Sequence, residues 1–102
     1  MHIWEIEELK FQIGKLFQFN RLNSKLSQLQ VGNELNLSSN HVGRIERAET
    51  NPTIEIVVKF CNFFKIDILF LFKKLNENEL NNLEIEIDRL QKEFKNHNKR
   101  KS

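Results

Sequence analysis

The sequence predicts an all-α protein, on three observations. Apolar residues recur at spacings of three and four along most of the 102 residues, the period of an amphipathic helix. Three glycines and one proline are too little punctuation for a many-turned β architecture. Ser, Thr and Asp residues stand immediately before several of the periodic stretches, where helix caps belong. The expected arrangement is a five-helix globular domain followed by a C-terminal amphipathic helix with coiled-coil spacing.

The elements follow in chain order. Leu9, Ile13, Leu16 and Phe17 form the stripe of a first helix reaching about Leu22, with residues 1–8 as its N-terminal extension; Trp4, Phe11 and Phe19 lie off the stripe as surplus apolar surface. Ser27 is placed to cap a second helix, whose inward side is Val31 and Leu35. Asn36 then suits a left-handed turn residue, Leu37 anchors, and Ser38 caps a third helix facing inward through Val42 and Ile45. The turn is too short for the two helices to separate, which is helix-turn-helix geometry over about residues 27–46. Asn51, Pro52 and Thr53 signal the start of a fourth helix carrying Ile54, Val57, Val58, Phe60, Cys61 and Phe64, and Asp67 caps a fifth, IDILFLF. The globular domain thus spans 9–74. A polar hinge, KKLNENE, precedes a helix at 77–97 in which Leu80, Leu83, Ile87, Leu90 and Phe94 step by three and four, the a/d seam of a coiled coil; residues 98–102 form a basic tail.

Composition excludes several classes of function. The most hydrophobic region is interrupted by Glu55, Lys59, Asn62, Lys65 and Asp67, so no membrane span is expected, and the acidic start MHIWEIEELK lacks the layout of a secretory signal. The cytoplasm is the expected location. A single cysteine, Cys61, excludes an intramolecular disulfide and a multi-cysteine zinc site, and sits where a buried structural residue is expected. His2, His41 and His97 are scattered, and no nucleophile with a base or phosphate-cradling loop emerges, so neither an enzyme nor a cofactor is expected. Net charge is +2, with ten basic and ten acidic residues in 1–79 but six and four in 80–102. The excess lies in the tail, which makes overall charge a weak argument for nucleic acid.

From Ile13 to Phe72 the chain resembles the Cro/C1-type (XRE) helix-turn-helix family of phage repressors and bacterial regulators. The segments IGKLFQFNR, LSQLQVGNELNLSSNHVGRIER and NPTIEIVVKFCNFFKIDILFLF carry the resemblance, in the family's order and without a gap. It implies a lambda-repressor-like fold and binding to double-stranded DNA. Departures are Asn36 and Lys25 where the family usually has glycine, Asn20 at a commonly apolar position, and AET in place of a glycine-plus-basic segment before Asn51.

Turning the third helix at 100° per residue places Asn40, Gly43, Arg44 and Arg47 on its outer face. By the resemblance, this helix enters the major groove with its N-terminal residues toward the base edges. Ser39, Asn40, Gly43 and Arg44 are then the base-reading candidates, since Asn pairs with adenine and Arg with guanine bidentately. Gly43 either allows close approach to the groove or is a tolerated surface glycine. The candidates for the DNA backbone are Gln28, Ser38, His41, Arg47, Asn51 and Lys25; for Gln28 the competing reading is local capping. The resemblance also implies a structural ion pair between Arg21 and Glu46.

The apolar surplus raises the question of a second copy. Leu69, Phe70 and Phe63 are apolar where the family commonly has polar or small residues. With the seam of Leu80, Leu83, Ile87, Leu90 and Phe94 they form the expected interface of a homodimer reading an inverted repeat. The competing reading folds the last helix back onto its own chain. A different functional class, an antitoxin-like or adaptor protein binding a protein partner through the C-terminal helix, also fits the surplus aromatics and sparse basic groups.

Overall fold

The structure is a computed structural model that describes the backbone of residues 4–101 and the side chains of residues 4–96. His2, the first three residues of the expected extension and the side chains of His97 and the basic tail lie outside the described residues. Six helices and no strand occur among the described residues: α1 Ile6–Asn23, α2 Gln28–Leu35, α3 Ser39–Glu46, α4 Ile54–Phe64, α5 Ile68–Phe72 and α6 Glu77–Lys101.

Local chemistry accounts for most of the boundaries. α1 starts three residues before the apolar stripe because Glu5 and Glu8 form a capping box. Ser27 and Gln30 do the same for α2: the Gln30 amide donates to Ser27 Oγ at 3.0 Å and the Ser27 amide to Gln30 Oε1 at 2.7 Å. Asn36 adopts the left-handed conformation (φ 59°, ψ 46°) that ends α2, and the Leu37 amide closes back on the Gly32 carbonyl at 2.8 Å. Ser38, Thr53 and Asp67 cap α3, α4 and α5 through their side chains. Lys25, Ala48 and Lys65 are also left-handed, with φ of 57° to 60°. At positions 25 and 48 the turns therefore form without the usual glycine, at a modest steric cost.

The main core packs Phe17 of α1 flat against Phe60 of α4, with ring centroids 3.7 Å apart. Around that pair lie Leu35, Val42, Ile45, Val57 and Leu71, all buried. In α4 the inward side is Ile56, Val57, Phe60 and Cys61, while Ile54 and Val58, apolar residues of the same helix, are exposed. Beside the core, Gln12 is a fully buried polar residue. Its Nε2 donates to the Leu71 and Lys73 carbonyls at 3.0 and 2.7 Å, and its Oε1 accepts from the Leu75 amide at 3.0 Å, so the bonds hold the end of α5 and the segment that leads from it into α6.

The expected dimer seam does not stand free. Ile87 and Leu90 are buried with Leu22 in a second cluster, and Leu83, Phe94 and Phe19 pack against it. α6 therefore folds back on α1 within one chain, and the interface expected of Leu83, Ile87, Leu90 and Phe94 is an intramolecular one. The physical reason is on α1: Phe19 and Leu22 offer a second apolar stripe, and a seam of about two heptads finds more burial there than as an isolated coiled coil. Leu80 sits at a hollow with Trp4, Phe11, Lys74 and Leu75. Phe63, Leu69 and Phe70 stay exposed, at 38%, 72% and 52%.

Candidate nucleic-acid interface

α3 is fixed from below before it presents anything outward. Val42 and Ile45 are each 1% exposed. Gly14 of α1 brings the two helices together: a β-carbon there would lie 2.6 Å from the Ile45 carbonyl oxygen and 2.8 Å from that of Glu46. Gly32 does the same inside the helix-turn-helix, where a β-carbon would meet the Leu37 carbonyl oxygen at 2.5 Å. Both clashes are with backbone, which cannot swing aside.

A buried polar network ties the three helices at one end. Glu46 receives Arg21 Nε at 2.6 Å on one oxygen, and Arg21 Nη2 at 3.1 Å on the other. The second oxygen also accepts from Gln28 Nε2 at 3.1 Å, and Arg21 Nη1 donates to the Leu26 carbonyl at 3.0 Å. Both charged partners are 5% exposed. The two-pronged geometry and the further hydrogen bonds offset the desolvation of the pair. Gln28 does not cap α2 locally, because Gln30 completes that box. Instead it reaches across to α3 and uses one of its two amide N–H donors there.

On the other side of α3, Asn40 and Arg44 are exposed while Ser39 and His41 are half-buried. Ser38 is exposed, with its Oγ accepting from the His41 amide at 3.0 Å. Gly43 departs from its expected place on the open outer face. It is buried, because the side chains of Arg47 and Gln28 fold over it: a β-carbon would lie 2.9 Å from Arg47 Nη1 and 3.2 Å from Gln28 Nε2. The helical wheel gives the direction of the position correctly and misses the long side chains that arch over it.

The basic groups are less available than their number suggests. Arg47 Nε binds Glu49 Oε2 at 2.5 Å. That hydrogen bond raises the Arg47 pKa and lowers that of Glu49, and the adjacent acid compensates the positive charge. Arg21 is occupied by Glu46. Arg44 and Lys25 are exposed, Lys25 in the turn that links α1 to α2. Asn51 is exposed at the edge of an apolar groove lined by Ile6, Leu9, Ile54, Ile68 and Phe72.

The site-residue expectations therefore fall into groups. Arg21, Gln28, Gly43, Glu46 and Arg47 are brought together where α1, α2 and α3 meet. The eight residues expected at one dimer surface are split between the α1–α6 junction, the Leu80 hollow and the exposed end of α4 with α5. Gln12 was missed as a structural residue. Its signal was present, since it lies three residues after Leu9 and four before Leu16 on the buried stripe. Cys61 is buried, and burial together with Asp67 pushes its thiol pKa up, away from a reactive thiolate. Among the described residues no cluster of His, Cys, Asp and Glu could hold a metal ion, and no helix is long and apolar enough to cross a membrane.

A helix-turn-helix family model matches residues 20–71, which is 52 of the 102 residues and runs from the last turn of α1 into α5. No curated protein and no solved structure matches the chain.

Proposed function

The chain belongs to the Cro/C1-type helix-turn-helix family of DNA-binding regulators, and from that premise we propose that it is a sequence-specific repressor acting by occupancy of its operator. The observation that carries the reading is the presentation of α3: Asn40 and Arg44 face solvent on a helix whose opposite side is locked to α1 and α2 by backbone contact and a buried ion pair. A reading helix must be held this firmly for hydrogen bonds to base edges to discriminate.

In this reading α3 enters the major groove. Ser39, Asn40 and Arg44 reach base edges, while Gly43 keeps the surface low where Gln28 and Arg47 cross it. Gln28, Ser38, His41 and Lys25 approach phosphates, joined by Arg47 once a phosphate competes with Glu49, and by Asn51 from the loop before α4. Each bidentate pair contributes about 1–3 kcal/mol of discrimination against a wrong base.

The dimer is carried by what α6 leaves uncovered. Phe63, Leu69 and Phe70 at the end of α4 and on α5 form the apolar patch through which two copies pair and read an inverted repeat with half-sites about one helical turn apart. Light scattering on the eluting protein checks this: a monomer at high micromolar concentration overturns it. The alternative, an antitoxin-like or adaptor protein that binds a partner through the C-terminal helix, has less apolar surface to draw on there, because Ile87 and Leu90 pack on α1.

In vitro selection from random duplexes tests the main reading. The wild type is expected to enrich one motif, and Asn40→Ala and Arg44→Ala each to relax it at different positions. If no motif emerges, the specific-regulator reading fails; if motifs survive both substitutions unchanged, the base-reading assignment fails.

A further inference from the structure

We propose that the last turns of α6 are a second DNA-contact surface, an arm that grips the phosphate backbone flanking the segment read by α3. The inference rests on the DNA-binding reading above and assigns it residues outside the helix-turn-helix.

Direction comes first. α6 runs parallel to α1: Leu75, just before it, bonds Gln12, Leu80 lies near Phe11, Ile87 and Leu90 pack on Leu22, and Leu90, Glu93 and Phe94 share a cleft with Asn23 and Lys25. α1 ends at Asn23, whereas α6 continues for seven residues beyond Phe94, to Lys101. At 1.5 Å per residue that is an overhang of about 10 Å. It leaves from the end of α1 where Arg21 meets Glu46 of α3 and where Lys25 leads into Gln28, so it emerges beside the interface.

Charge comes second. The sequence after Phe94 is KNHNKRKS, with four basic residues, no acid and no apolar residue. Among the described side chains, the last intrahelical pairs of α6 are Lys92 with Asp88 at 3.1 Å and Glu93 with Arg89 at 2.6 Å. Nothing in the composition of the overhang serves a core, and every charge in it is positive. Cations also suit the C-terminal end of a helix dipole, but that effect is confined to the last turn and does not account for a helix that continues past the end of α1.

Need comes third. Two of the arginines at the interface are held by Glu46 and Glu49, and the loop before α4 reads AET where the sequence resemblance leads one to expect basic residues. Phosphate neutralisation supplies most of the sequence-independent affinity for DNA. The overhang returns to the molecule the positive charge that the recognition face lacks.

The test uses the full chain and the motif-bearing duplex from selection, with affinity measured by fluorescence anisotropy between about 50 and about 200 mM salt. The variant Lys95→Gln/Lys99→Gln/Arg100→Gln/Lys101→Gln is expected to bind about tenfold or more weakly at the low-salt end. Its log–log salt slope should shrink by about three to four, since each of the four lost phosphate contacts removes about 0.9, while the selected motif and the thermal melt of α1–α5 stay the same. Trimming the duplex flanks should weaken the wild type and leave the variant unaffected. If the wild type binds and the variant keeps its affinity and slope, the arm is overturned alone; an overhang that serves an acidic protein partner gives that result. If the wild type binds no duplex, the DNA-binding reading falls and the arm with it.

Discussion

α1 makes two junctions, and they are built from different materials. Against α3 it places a glycine directly under two backbone carbonyls and adds a buried, two-pronged ion pair. Against α6 it places Phe19 and Leu22 on Ile87 and Leu90, with no hydrogen bond or ion pair between the two helices among the described residues. Apolar burial is non-directional and tolerates small slides, whereas carbonyls beneath a glycine and a fork-shaped guanidinium tolerate almost none. The exacting chemistry thus lies where the orientation of a reading helix must be fixed, and the permissive chemistry where a helix need only be kept close.

The contrast can be broken at its strongest point. Arg21→Ala strands the Glu46 carboxylate in the interior and is expected to cost about 3–5 kcal/mol of stability in urea unfolding. Replacing both partners with apolar residues of similar size should recover most of that loss. A loss below about 1 kcal/mol would mean that the pair is solvated and fixes nothing.

Leu90→Ala probes the permissive junction. The expected cost is about 2–3 kcal/mol, and amide exchange should show the loss of protection confined to α6, because α1 to α5 keep their own core. Uniform loss across all helices would show that the two junctions melt as one unit and that the distinction has no thermodynamic content.

Gly43→Ala gives the smallest effect on stability. Helix propensity favours alanine by about 1 kcal/mol, and the new methyl meets only the flexible ends of Arg47 and Gln28. The variant should be slightly more stable and bind DNA several-fold more weakly, as Gln28 and Arg47 are pushed off their positions. More stability with unchanged binding would make Gly43 a tolerated residue only.

The contrast also explains what could be read from sequence. Caps are local chemistry, so Ser27, Asn36, Ser38, Thr53 and Asp67 announce their helices, and the inward stripes of α1 to α3 follow from the helical period. The a/d seam in α6 was legible as a seam, but its spacing is the same whether the partner is a second chain or α1. The decisive clue lay elsewhere, in the off-stripe Phe19. Gly43 was misplaced for a related reason: periodicity fixes the direction of a residue, and what arches over it depends on the side chains of Arg47 and of Gln28, the latter fifteen residues away in sequence and adjacent only after folding. The Arg47–Glu49 contact, which dims the positive face, is likewise a matter of rotamers that no spacing rule contains.

Gln12 imposes an order on synthesis. Its partners, Leu71, Lys73 and Leu75, lie 59 to 63 residues further along the chain. As the chain is made from its N-terminus, α2 and α3 can assemble on α1 while the amide of Gln12 is still wet. Only when α5 and the segment after it arrive does that amide find its three backbone partners, and it then latches a late part of the chain to an early one. Long-range closure of this kind is the slow step of a helical fold. The order of synthesis therefore lets α1, α2 and α3 meet before the chain that carries α6 is available, and the arm is the last part to be attached.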